Sequence, residues 1–158
     1  MKQQFMKVLH KLLSRLKDSG VNWAITGSVS FALQGMPIEP NDIDIQTDKK
    51  GAYEIERLSS EFMVKKVAFS SADRICSHFG VLNIDGIRIE IMGDIRKRLK
   101  DGTWEKPVDL NLYKQFVEAG RMRLPVLSLE YEYGAYLKLG RRERTEMIRK
   151  FLRERKKV

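Results

Sequence analysis

Residues 42–45 read Asp-Ile-Asp-Ile, and this alternation constrains the chain more than any other stretch. Strand side chains alternate between faces, so Ile43 and Ile45 demand a buried face while Asp42 and Asp44 share the other. Pro37 and Pro40 keep the preceding residues 36–41 in a loop. Upstream, the apolar run 21–25 enters Thr26-Gly27-Ser28, and residues 29–34 then support a short helix that stops at Gly35. The expected order is strand, tight turn, short helix, loop, strand.

The flanking segments supply the rest of a mixed fold. Residues 3–19 put Phe5, Val8, Leu9, Leu12, Leu13 and Leu16 on one helical stripe, and Gly20 follows where a left-handed cap belongs. Residues 48–62 carry Ala52, Ile55, Leu58 and Phe62 at helical spacing behind Asp48 as N-cap, and residues 63–69 read as a strand. Strands 81–84 and 87–91 flank Asp85-Gly86, the strongest short-range signal for a hairpin, which leaves Glu90 on the polar face of its strand with Arg88. Residues 100–120 read as a loop that packs Trp104, Pro107 and Leu110 on the core. Ser128 caps a helix running to about Leu139, and Gly140 separates it from a last helix bearing Met147, Ile148, Phe151 and Leu152. The expected class is α/β (α+β), a mixed β-sheet flanked by helices. Residues 1–105 form its core, and residues 106–158 form a C-terminal loop and helical segment packed on that core.

With 158 residues, 42% of them apolar, the chain can build one hydrophobic core. No apolar run reaches the roughly 20 residues of a membrane span, and the N-terminus mixes charge into its apolar positions. The expectation is a soluble, cytoplasmic protein without a membrane partner. Cys76 is the single cysteine and is expected as a small core residue; with His10 and His78 the only histidines, no Cys/His zinc site can form. A metal would therefore be held by oxygen. The net charge is +9, and residues 138–158 hold ten Lys or Arg against three Glu, which is +7 of it. Such an end suits an anionic partner such as a nucleoside triphosphate or RNA, or is a solvated helix face.

Two carboxylates on one strand face repel unless a cation lies between them. An EF-hand is excluded, because a loop starting at Asp42 has Thr47 at its sixth position and Tyr53 at its twelfth. No P-loop and no dinucleotide-binding glycine motif is present. Magnesium, which is bound by one or two carboxylates together with substrate phosphates, fits the pair. Gly27-Ser28 offers a phosphate cradle, since glycine allows close backbone approach and the Ser28 and Ser30 hydroxyls add donors.

Gly27-Ser28 on a strand-to-helix turn, 13 intervening residues, Asp42-Ile43-Asp44 on a strand and a later carboxylate in an apolar strand resemble the DNA polymerase beta-like nucleotidyltransferase superfamily. Within it the chain is similar to small stand-alone enzymes related to aminoglycoside- and lincosamide-modifying and antitoxin-type nucleotidyltransferases. The resemblance implies that Asp42 and Asp44 bind two divalent ions, Mg²⁺ or Mn²⁺, and that Gly27 and Ser28 hold the β- and γ-phosphates of an NTP. A third carboxylate completes the site; Glu90, between Ile89 and Ile91, is assigned to it as metal ligand and catalytic residue, with Asp85 and Asp94 as competitors. Lys138 resembles the family's phosphate-contacting lysine, and is equally an exposed helical lysine. Arg74 and His78 line the cleft or are ordinary surface residues. The implied reaction transfers a nucleoside monophosphate to a hydroxyl of a small molecule, RNA or partner protein, with release of pyrophosphate. The alternative is an inactive module of the same fold that binds RNA or neutralises a toxin, and a homodimer stays open in either case.

Overall fold

A computed structural model describes residues 1–156; Lys157, counted in the basic end, lies outside the described residues. Seven strands form one sheet in the order β3-β4-β5-β2-β1-β7-β6. The strands are β1 (Trp23–Thr26), β2 (Ile43–Thr47), β3 (Met63–Ser71), β4 (Ile75–Ile84), β5 (Ile87–Lys97), β6 (Lys114–Ala119) and β7 (Met122–Leu127). β2 runs parallel to β5 and β1 parallel to β7, while the remaining neighbours are antiparallel. The sheet is mixed, as the sequence predicts.

Helix α1 (Gln3–Leu16) and helix α3 (Lys49–Leu58) cover one face. Phe5, Val8, Leu9, Leu12 and Leu16 of α1 and Ile55 of α3 pack there against Ile25, Ile43, Ile45, Ile89 and Ile91, the apolar half of each strand's alternation. Asp48 caps α3 by accepting a hydrogen bond from the Gly51 N–H at 2.6 Å. The helix ends at Leu58, and Phe62 lies in a separate 3₁₀ turn.

The opposite face carries α2 (Gly27–Leu33), α4 (Leu129–Lys138) and α5 (Arg142–Arg155) around a smaller cluster of Phe31, Met36, Leu129 and Ile148. The Ser128 side chain caps α4 by accepting from the Tyr131 N–H at 3.2 Å. Cys76 is buried, as expected.

Residues 100–120 correct the loop expectation in part. Lys114–Ala119 forms β6, which pairs with β7 across a hairpin led by Gly120 at φ +60°. Residues 106–158 therefore add two strands to the core's own sheet before supplying the helices. Pro125 within β7 and the exposed Phe116 blur the strand alternation there. No helix among the described residues is long and apolar enough to cross a membrane.

Candidate active site

Strand register brings the acids together. Asp44 of β2 is the direct partner of Glu90 on β5, and Thr26 at the end of β1 is the partner of Asp44 on the other side. By alternation these three share the face under α4 and α5, while Ile43, Ile45, Ile89 and Ile91 anchor both strands in the main core. Asp42 stands just before β2 on the same parity and is exposed.

The electrostatics of this cluster are unfavourable without a cation. The Asp44 carboxyl is pushed up to about 7 by burial first, then by the charge of Glu90, a hydrogen bond with it and the charge of Asp42. Arg144 of α5 opposes the shift. Glu90 is held from its own strand by Arg88, whose Nε and Nη2 donate to Oε1 at 3.2 and 3.1 Å. Among the described residues no three His, Cys, Asp or Glu form a preformed metal cage. The expected three-carboxylate centre is thus a close pair with Asp42 beside it. An oxygen donor set that is crowded and partly protonated fits a hard divalent cation, which takes its other ligands from water or phosphate.

Gly27 closes the site from the side. Its φ of +72° belongs to the left-handed region, and a Cβ there would lie 2.6 Å from Asp44 Oδ2. A glycine is required both by the turn and by the approach of the carboxylate. Ser28 follows half-buried on the first turn of α2. Ser30 does not join the cradle, because it is fully buried, donates to the Leu127 carbonyl at 3.4 Å and accepts from Gln34 Nε2 at 2.9 Å. Two residues along the helix, a turn of about 200°, take it away from Ser28 and into the seam between α2 and β7.

Other expectations also separate. The Lys138 Nζ is paired with Glu105 at 3.2 Å on an exposed side chain at the end of α4. The cation whose field reaches Asp44 is instead Arg144, which lies over Phe31 and keeps a buried Nη1 without a hydrogen-bond partner among the described residues. His78 is the register partner of Gly93 and contacts Tyr53 of α3 at 3.2 Å, so it lies on the opposite face from Glu90. Arg74 donates to the Leu139 carbonyl at 3.4 Å, at the turn between α4 and α5. Asp85 takes a positive φ in its hairpin turn and pairs with Lys11. Asp94 takes a positive φ at an irregularity of β5, where the three steps from Gly93 to Arg96 face two from His78 to Cys76.

Sequence reasoning missed two buried charges. Glu132 of α4, only 2% exposed, accepts from the Thr26 hydroxyl and from the Gly27 N–H at 3.3 Å. Burial pushes it up to about 7, against the pull of those two hydrogen bonds. Lys97 ends β5 at 5% exposure, with its Nζ 3.4 Å from the Tyr131 hydroxyl. The extra residue at Asp94 reverses the strand's alternation and turns Lys97 toward α4. An acid in the first turn of a helix, as Glu132 is, was the one available signal.

A mixed sheet whose central strands carry paired acids beside a glycine-led turn defines a nucleotidyltransferase of the DNA polymerase beta-like superfamily. The family model for aminoglycoside-2''-adenylyltransferase matches residues 8–150, and the chain belongs to that family. It is 66% identical to TM1012 of Thermotoga maritima, provisionally described as a nucleotidyltransferase, over 98% of this chain and 96% of that one, with a TM-score of 0.87. Two more distant structures share the fold. The lincosamide antibiotic adenylyltransferase LnuA, lincomycin-bound, has 16% identity over 94% of this chain and 97% of its own, at a TM-score of 0.57. ANT(2'')-Ia in complex with adenylyl-2''-tobramycin has 12% identity over 94% and 90%, at 0.62. No curated protein matches the chain in sequence.

Proposed function

We propose that this nucleotidyltransferase transfers a nucleoside monophosphate from an NTP to a hydroxyl of a small-molecule acceptor, with release of pyrophosphate. The observation that carries the reading is the register pairing of Asp44 with Glu90 beside Gly27. Antibiotic-modifying relatives of the same fold support a small acceptor over RNA or a protein.

Asp44 and Glu90, with Asp42 beside them, would hold the divalent ion, Mg²⁺ or Mn²⁺, or two such ions. When bound, the ions neutralise charge on the entering and leaving oxygens. Gly27 and Ser28 receive the phosphates. Arg144, whose buried Nη1 has no partner among the described residues, takes the triphosphate role that Lys138 was expected to play. Glu90 orients the acceptor hydroxyl and accepts its proton, leaving Arg88 on Oε1 to hold the carboxylate in place. The acceptor oxygen bonds to the α-phosphorus, the bond to the bridging oxygen of the β-phosphate breaks, and pyrophosphate leaves. Positioning and charge neutralisation supply most of the rate. Residues 1–105 supply the acids and the glycine turn, and the segment that follows, to residue 156, adds Arg144, covers the site and selects the acceptor.

The test is pyrophosphate release from each NTP with Mg²⁺ or Mn²⁺ and a panel of aminoglycosides, lincosamides and simple polyols. Release that needs both the divalent ion and an acceptor supports the reading. Release absent for every NTP, with NTP binding also absent, sinks it.

A further inference from the structure

A concave site is lined by residues other than the acid pair and the glycine turn. A cavity of about 480 Å³ is lined by five cations, Arg74, Lys97, Arg98, Lys100 and Lys138, against two acids, Asp73 and Glu105. The five come from four separate places: the residue before β4, the end of β5, the turn after it and the end of α4. Asp73 pairs with Arg98 at 3.6 Å and Glu105 with Lys138 at 3.2 Å, so three positive charges have no paired carboxylate among the described residues.

Lys97 is the strongest feature of this cavity. Its ammonium is buried, its one hydrogen bond goes to the neutral Tyr131 hydroxyl, and no carboxylate pairs with it among the described residues. Burying a charge without a counter-charge is costly and is tolerated where a ligand supplies one. Desolvation pulls the Lys97 ammonium below its ordinary value, and the charge of Glu105 acts against that.

A chain of interactions, though no lining residue, leads from this cavity to the acid pair. Lys97, Glu105 and Lys138 also line a second cavity, of about 540 Å³, with Tyr131 and Tyr113. Those two rings stack at 4.4 Å between centroids. Lys97 lies within the field of Glu132, which hydrogen-bonds Gly27, the residue against Asp44.

We infer that the cavity holds an anionic group, a phosphate or carboxylate, with Lys97 at its floor, and that this group belongs to the acceptor. The assignment to the acceptor rests on the transferase reading above; the anion site itself does not. A polycationic acceptor finds no net negative charge in either cavity, since the second one balances Lys97, Lys106 and Lys138 against Glu105, Asp109 and Glu130.

Inorganic phosphate is the probe, titrated into the full chain by ³¹P NMR with and without a saturating non-hydrolysable ATP analogue. The expected result is saturable binding that the analogue leaves unchanged, weakened at least tenfold in Lys97→Met and about threefold in the exposed Lys100→Ala. Methionine at a buried lysine position removes a charge and keeps the packing, so the fold is retained, as a melting curve checks. No saturable binding, or equal binding by wild type and both variants, overturns the anion site. Displacement of phosphate by the analogue overturns the acceptor assignment and gives the cavity to the nucleotide. Failure of the transferase reading shows separately, as analogue binding indifferent to Asp44→Asn and to Mg²⁺.

Discussion

Asp44 and Glu90 are paired neighbours on parallel strands β2 and β5, and burial, followed by the charge and hydrogen bond of Glu90, pushes the Asp44 carboxyl up to about 7. The pair has a direct consequence for stability. Asp44 rises from 3.8 and Glu132 from 4.5, both to about 7, so the folded chain holds protons that the unfolded chain has already released. Stability therefore falls as pH rises between the two sets of values, and the loss is complete above about pH 7. Without divalent ions, melting temperature is expected to decline from pH 4.5 to 8. Asp44→Asn is expected to flatten this slope and to melt above wild type at pH 8, and Mg²⁺ to raise the wild-type melting point more than the variant's.

Gly27 tests the close approach of turn and acid. Gly27→Ala adds a Cβ 2.6 Å from Asp44 Oδ2 at a left-handed φ. The conformation alone costs about 1–2 kcal/mol. A lowered melting point with transfer activity reduced at least a hundredfold is expected from thermal and steady-state measurements.

Glu132 separates hydrogen bonding from charge. Glu132→Gln keeps an oxygen acceptor for Thr26 and Gly27, whereas Glu132→Ala leaves both buried donors unpaired. The alanine variant should lose about 1–3 kcal/mol in denaturant unfolding. The glutamine variant should stay close to wild type at pH 5 and exceed it at pH 8.

Arg144 carries the prediction for nucleotide affinity. Removing a hydrogen bond to a charged group costs about 1.5–3 kcal/mol, or roughly tenfold and more in binding. Arg144→Met should raise KM for the NTP by that factor with a smaller effect on kcat, while Lys138→Met should leave the nucleotide KM near wild type.

The sequence made the central strands legible because each carries an apolar half that only one face can bury. Ile43, Ile45, Ile89 and Ile91 set the parity that leaves Asp44 and Glu90 on the other face, while the choice of Glu90 as third acid came from the family resemblance. The Asp85-Gly86 turn fixed the β4–β5 hairpin, and Asp48 and Ser128 marked real helix starts. What could not be read depended on tertiary contacts. Ser30 lies two residues from Ser28, yet packing against Leu127 removes it from the cradle. Glu132 and Lys97 are ordinary surface residue types whose burial is decided by the crossing of α4 over the sheet. Lys97 faces α4 only because of one extra residue near Asp94. Lys138 and Arg144 look equivalent in a basic segment, and only the position of α5 over Phe31 tells them apart.

The most direct test follows label from each α-³²P NTP in the presence of Mg²⁺, comparing wild type, Asp44→Asn and Glu90→Gln with hydroxyl-bearing small molecules. The account predicts label on an acceptor with wild type and a loss of at least a thousandfold in both variants, whose melting points stay at or above that of the wild type at pH 8. Transfer that survives undiminished in either variant would contradict it.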